Sequence, residues 1–406
     1  MFASGAWALI YGLTSFKKAD ASVDKTNYYV IIGFGAVMIL VGLIFFLILC
    51  ALRKRISLAI QLIIESSRVL TNSVLLILVP IVYMILFILA TAGLVVTMVF
   101  YFASLNITTK EGGTREIEFT TNTRYIVIFA LFMFFWVLFF LVGMNTSTIA
   151  GTAAEWYFVK DREHDMPTFP IARSLKVLLL HHIGSVAFGS LLIALIATLR
   201  VIVLYIQKKL KESGQIDKQP MKCLFACING CLACLQKIVE YITSKAYIFM
   251  MIRGKCFISS AIDVVKLLLR NILRTSMLTV ISTVIIVVGI IGVAAISTLI
   301  CALIVRPDFL SLDVSVVTVY YWWFIVFICF IVAFAVAFLI LQIYDSLINA
   351  IFICFLVDEE VAQYNATTGY APQALKEYFE NINLEENAKR EASAKKQVMV
   401  DVPDAQ

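Results

Sequence analysis

Six stretches of the chain run for about 20 residues or more almost without charge, and they decide what it can fold into. They are Tyr28–Cys50, Val74–Ala103, Tyr125–Gly143, Ile183–Ile206, Ser276–Val305 and Tyr321–Phe355, and the charges within them are Arg200 and Asp345. Each has the length that crosses the ~30 Å hydrocarbon core of a bilayer as a helix. The implied fold is all-α, a multi-pass transmembrane helical bundle. Composition agrees: apolar residues make up 61% and charged residues 15%, against about 45–50% and about 25% in soluble domains. A mean hydropathy of +0.94 leaves too little polar surface for a water-soluble body of this size. Soluble enzymes, secreted disulfide scaffolds, fibrous proteins and disordered tails are excluded as the main reading.

The remaining bulk properties fit a membrane chain. A net charge of +6 reports basic cytoplasmic loops more than a nucleic-acid partner, and none is expected. Nine cysteines, an odd number and mostly within apolar stretches or in one cluster, do not form a disulfide framework. Met1-Phe2-Ala3-Ser4 lacks the basic start of a signal peptide. Residues 1–16 are short and apolar and read as a partial membrane helix. Residues 28–357 read as the membrane core, and 358–406 as a charged cytoplasmic tail, helix-prone at Ala374–Lys396.

Basic clusters set the orientation. Arg53-Lys54-Arg55 with Arg68 places 51–73 in the cytoplasm. Ser104–Arg124 then lies outside, and its Asn106-Ile107-Thr108 matches the acceptor pattern for N-glycosylation. Lys160–His182 returns inside. The parity of later segments requires either that the fourth run re-enters or that semi-polar Met221–Ile252 is a further crossing. The crossing is favoured, because it returns Arg253–Arg274 and the tail to the cytoplasm; about seven spans plus the partial N-terminal one result. It leaves Lys208, Lys209, Lys211, Lys218 and Lys222 outside, against the charge rule.

Ionisable groups inside spans cost about 2.5–3.5 kcal/mol each on insertion scales, so each is a default site candidate. Lys237, Glu240 and Asp345 are the deepest, with Arg200 and Glu155 nearer span ends. Lys237 and Glu240, three apart, could neutralise each other, and Arg200 could snorkel. The aromatic side chains of Trp136, Trp156, Tyr157, Trp322, Trp323 and Tyr344 suit a quaternary ammonium, which an aromatic face attracts by roughly 0.5–2 kcal/mol. An interfacial belt explains Trp322 and Trp323 better, but not the mid-span Trp136. Gly184 and Gly189 lie in a run of small residues and serve helix packing or a hinge. His182 beside them reads as a capping or surface residue before a proton carrier. Cys223, Cys227, Cys231 and Cys234 form one helical stripe. Four ligands on one straight helix cannot close a tetrahedron, so packing or palmitoylation is preferred to zinc, and no metal or cofactor is expected. Asp358-Glu359-Glu360 reads as a solvated acidic run, and no P-loop, kinase, metal-hydrolase or nucleophile-elbow pattern appears.

Several runs together resemble the choline transporter-like family. They are Arg53-Lys54-Arg55-Ile56 with Glu65; Ala150-Gly151 before Trp156-Tyr157-Phe158; and His182-Ile183-Gly184-Ser185-Val186-Ala187-Phe188-Gly189-Ser190. The cysteine cluster, Lys245-Ala246-Tyr247-Ile248, Arg270-Asn271 and Ile351-Phe352-Ile353-Cys354-Phe355-Leu356 before Asp358-Glu359 follow in family order. The resemblance implies about ten helices with a glycosylated loop after the first, so residues 1–16 read as a remnant and the chain as an N-terminally short member or fragment. It also implies a plasma-membrane carrier of choline or a similar small quaternary amine, ATP-independent and not an enzyme. Trp136, Trp156, Tyr157 and Tyr344 would supply cation–π contacts, with Glu240 or Asp345 as counter-charge. Two departures bear on substrate: Gln236 and Asn349 stand where the family often has acids. They motivate a carrier of another organic cation, such as ethanolamine or a thiamine derivative. The short N-terminal part motivates a non-transporting membrane scaffold.

Overall fold

The computed structural model describes residues 60–103, 107–109, 115–117, 121–160, 167, 169–213, 219–305, 322–365 and 370. The expected span at Tyr28–Cys50, the partial helix 1–16, Asn106 and most of the tail lie outside them. Residues 61–406 make one compact unit. Helix α1 covers residues 60–72, and a 3₁₀ turn at Val74–Ile77 leads into α2, Leu78–Ala103. Two three-residue strands, Ile107–Thr109 and Arg115–Ile117, pair antiparallel as a small hairpin. There follow α3 (Thr121–Phe158), α4 (Pro170–Val177), a π-helical turn (Leu178–His182) and α5 (Ile183–Glu212). The chain continues through α6 (Gln219–Arg253), α7 (Phe257–Arg270), α8 (Ile272–Val305) and α9 (Trp322–Asn365).

Among the described residues, six helical stretches are long and apolar enough to span a bilayer: Val74–Ala103, Asn122–Phe158, Pro170–Glu212, Cys223–Arg253, Ile272–Val305 and Phe324–Ala362. Cys223–Arg253 overlaps semi-polar Met221–Ile252, the segment favoured as a further crossing, and has the length and apolar composition for one. Most of the helices outrun the apolar stretches that announced them. In α3 the polar run after Gly143 stays helical, and its threonine hydroxyls bond back into their own helix. Thr148 donates to Met144 O at 2.8 Å and Thr152 to Thr148 O at 3.0 Å, so these hydroxyls are satisfied without leaving the helix. Within the segment Lys160–His182, Pro170–His182 is helical, with Pro170 at the first turn, where its missing N–H costs nothing. Helix α6 ends at Gly254, whose φ of +66° is the left-handed conformation a C-terminal cap needs. Its N–H reaches Met250 O at 2.8 Å.

Helix α3 lies at the centre, in contact with α2, α5, α6 and α9, while α9 also packs along α8. The buried core concentrates at the end that the charge pattern places in the cytoplasm: Met144–Tyr157 of α3, Thr243–Met250 of α6 and Ala350–Asp358 of α9. Close approach there depends on missing side chains. A Cβ on Gly143 would lie 2.8 Å from the Tyr247 ring, and one on Gly151 would strike the Ser174 hydroxyl. The apolar side chains of α2, α8 and the first half of α9 are largely exposed, the pattern of helices whose solvent is lipid.

Candidate functional site

The run from His182 to Ser190 begins where a π-helical turn passes into α5. Such turns shift the register of the backbone ladder and recur at functional sites. Two neighbouring carbonyls of α5 each receive a donor from another helix. Trp136 of α3 donates its Nε1–H to Ala187 O at 3.2 Å, and Tyr247 of α6 donates its hydroxyl to Val186 O at 3.0 Å. A Cβ on Gly189 would lie 2.6 Å from Tyr247 Oη and 2.7 Å from Phe257 Cε2, whereas Gly184 has open space around it. Close packing therefore falls to Gly189. Trp136 is half-buried and stacks on Phe132 at 6.0 Å between ring centroids. Tyr247 is almost fully enclosed.

A line of polar side chains follows the face shared by α5 and α6. Asn229 donates to Gln207 Oε1 at 2.7 Å. About two turns further on, Arg200 donates to Gln236 Oε1 at 3.1 Å, and Gln236 passes its amide N–H to Glu240 Oε1 at 2.8 Å. Glu240 is thus held by Gln236 rather than by Lys237, which is exposed. Arg200 does not simply snorkel; it is tied to α6. Below this, Lys245 is 6% exposed, donates to Asn349 Oδ1 of α9 and lies 5.3 Å from the centre of the Tyr241 ring. Asn349 donates in turn to Asp345 O at 2.8 Å. The charges of Lys245 and Asp345 act on each other without a direct ion pair.

At the end that the charge pattern places in the cytoplasm the acidic run is only partly solvated, correcting the expectation from sequence. Asp358 is buried, and Tyr157 donates its hydroxyl to Asp358 Oδ2 at 3.3 Å. Glu359 pairs with Arg274 at 3.1 Å, and Glu360 with Arg270 at 2.8 Å. Three consecutive acids thus tie α9 to α3, to α8 and to the end of α7. Helix α9 continues to Asn365, so the expected border at 357/358 falls inside a helix. Glu155 meets Arg173 of α4 at 3.5 Å. Outside the spans, Lys255 and Asp263 of the amphipathic α7 pair at 2.6 Å, and that hydrogen bond holds the Asp263 carboxyl below its usual range.

The six residues expected to form one aromatic and acidic cage are spread through the bundle. Trp136 and Trp156 are 20 residues apart on one helix, about 30 Å along its axis. Trp156 and Tyr157 are 1% and 0% exposed, enclosed by protein with no open ring face. Tyr344 and Asp345 are half-buried on α9, Asp345 within electrostatic reach of Lys245, while Glu240 belongs to the Arg200–Gln236 line. The stripe of Cys223, Cys227, Cys231 and Cys234 is exposed on α6, so it does not pack in the core. Among the described residues no group of three or more histidine, cysteine or acidic side chains is placed to hold a metal. A cleft of about 890 Å³ between α2, α3 and α4, lined by residues such as Tyr83, Phe140 and Thr148, contains none of the expected site residues. Lys245, Tyr247 and Arg274 were missed as polar anchors. Lys245 stands within an apolar stretch, Ile242 and Ala246–Met250, and that was the available signal.

A family model described as plasma-membrane choline transporter matches residues 36–360. A bundle of membrane-spanning helices with an ionisable interior defines a multi-pass membrane protein, and the match identifies its class. The chain belongs to the choline transporter family. Choline transporter-like protein 1 of Caenorhabditis elegans is 29% identical over 365 residues, covering 84% of this chain and 47% of that protein. Choline transporter-like protein 2 of Xenopus laevis is 28% identical over 369 residues, covering 81% and 51%. The protein of the same name from Homo sapiens is 27% identical over 370 residues, with 81% and 51% covered. The chain spans about half the length of the curated relatives it matches.

Proposed function

We infer that this protein carries choline or a similar small quaternary amine across the plasma membrane without ATP. The observation that carries this reading is the family match, which runs through nearly all of the described helices. Physical features support it. Trp136 is aromatic, half-buried and mid-span, where an ammonium that has lost its water meets a π face. Asp345 and Glu240 are half-buried carboxylates within apolar helices, the kind of group that balances a cation there. Alternating access would proceed by parting the cytoplasmic ends of α3, α8 and α9, which the acidic run holds together. Gly189, at the α5–α6–α7 contact, sets how closely those helices approach.

A second reading, another organic cation such as ethanolamine or a thiamine derivative, draws on two observations. Gln236 and Asn349 carry amides in place of acids, and both amides are already engaged, Gln236 by Arg200 and Glu240 and Asn349 by Lys245. Competition separates the two readings: labelled choline uptake challenged by unlabelled choline, ethanolamine and thiamine should be suppressed most by choline. Absence of choline competition would reject the first reading. Trp136→Ala should lower uptake while the amount at the cell surface holds; unchanged uptake kinetics would remove Trp136 from the site.

A further inference from the structure

The buried ammonium of Lys245 has surroundings that suit a small organic amine as well as they suit a lysine. Three groups meet around it from two helices. The Tyr241 ring, one turn earlier on α6, lies 5.3 Å from Nζ. Asn349 of α9 accepts its hydrogen bond. Asp345 stands one turn before Asn349 on the same face of α9, its backbone carbonyl bonded to the Asn349 amide, and its carboxylate supplies the opposite charge without a direct contact. An aromatic face, a carbonyl oxygen and a carboxylate are the three kinds of group that recognise an alkylammonium.

The geometry is poor for a permanent structural ion pair. Lysine has three donors, yet among the described residues the hydrogen bond from Lys245 goes to Asn349 alone, and no carboxylate oxygen is in direct ion-pair contact with it. Asp345 is half-buried, and no direct ion pair ties its carboxylate to the lysine. Tyr241 is also a wall of a second cleft, about 450 Å³, that α6 shares with α7 and α8 and that Ile242, Leu268 and Thr275 help to line. The ring that faces Lys245 therefore also borders space large enough for a small amine. A four-carbon stem lets the ammonium move several ångströms without backbone motion.

We propose that Lys245 is a tethered ammonium that occupies an amine-binding site formed by Tyr241, Asn349 and Asp345, and that a free organic ammonium competes with it for Asp345. The proposal rests on the reading of the chain as an organic-cation carrier and names a specificity-determining residue for it. With Lys245 in place the site favours a ligand able to displace a fixed positive charge; without it, the site accepts a free ammonium directly.

The test is equilibrium binding of labelled choline, and separately of labelled methylammonium, to the purified full chain in lipid nanodiscs. Lys245→Ala removes the charge and opens the volume, and should bind at least one of the two probes about tenfold more tightly than the unmodified chain, or better. Lys245→Arg keeps the charge and should show no gain. Lys245→Ala with Asp345→Asn should lose the gain. No gain in Lys245→Ala, or a gain that persists without Asp345, overturns the proposal. Should Lys245→Ala fail to fold, Asp345→Asn and Asn349→Ala in the otherwise unmodified chain must each weaken binding; unchanged affinity in Asp345→Asn overturns it equally. Choline binding and uptake by the unmodified chain, with no gain in Lys245→Ala, reject this proposal alone. A gain for methylammonium in a chain that never binds choline rejects the choline reading alone.

Discussion

At the scale of single residues, the glycines separate space from sequence. Gly184 and Gly189 are indistinguishable in a run of small residues, yet one has open space and the other meets Tyr247 and Phe257. Gly189→Ala must push those rings aside and should destabilise the fold by about 1–3 kcal/mol. Gly184→Ala should leave stability unchanged, or raise it slightly because alanine is the better helix former. Thermal unfolding of both variants in detergent checks this; equal melting temperatures would contradict the packing assigned to Gly189. Asp263 gives a pH-dependent case. Its hydrogen bond from Lys255 lowers the carboxyl below its usual value, so the pair stabilises the native chain above the ordinary carboxylate range. That contribution disappears as pH falls through the depressed folded value. Asp263→Asn should therefore change the unfolding midpoint little at all, and any loss relative to the unmodified chain should vanish in strong acid, because exposed pairs contribute little.

At the scale of elements, the joint between α9 and its neighbours is the most testable. Arg274 pairs with Glu359, and both side chains are 24% exposed. Arg274→Glu places two acids together and should part the cytoplasmic ends of α8 and α9. Arg274→Glu combined with Glu359→Arg should restore the contact. Accessibility of a cysteine introduced at Ile272 to a membrane-impermeant thiol reagent applied to that side should rise in the single variant and return in the double. Equal labelling in all three proteins would remove the pair from the closure. This joint also marks the limit of what sequence could show. Uncharged runs identified the helices, because a backbone in lipid must satisfy its own polar groups. Their ends could not be read, because apolar composition stops at Gly143 while small hydroxyls carry α3 on to Phe158. Asp358-Glu359-Glu360 looked solvated because its partners lie 85 to 201 positions away along the chain, and charge patterning in sequence reads near neighbours alone.

At the scale of the whole molecule, the class was legible and the site was less so. Length, hydropathy and motif order give a multi-pass helical bundle of the choline transporter family. Ionisable residues inside spans stand out in the sequence, but their partners depend on how helices turn toward one another. Glu240 answers to Gln236 and Arg200, and Asp345 faces Lys245, a residue that looked like part of a family run. Trp136 and Trp156 share a helix but lie at different depths, so a single cage was a pattern of types without a common place. The central claim, that this chain moves choline across a bilayer, is tested most directly by uptake of radiolabelled choline into proteoliposomes that contain it and no ATP. Saturable uptake, suppressed by excess unlabelled choline and absent from protein-free vesicles, is the predicted result. Well-folded protein that gives no more uptake than empty vesicles would contradict it.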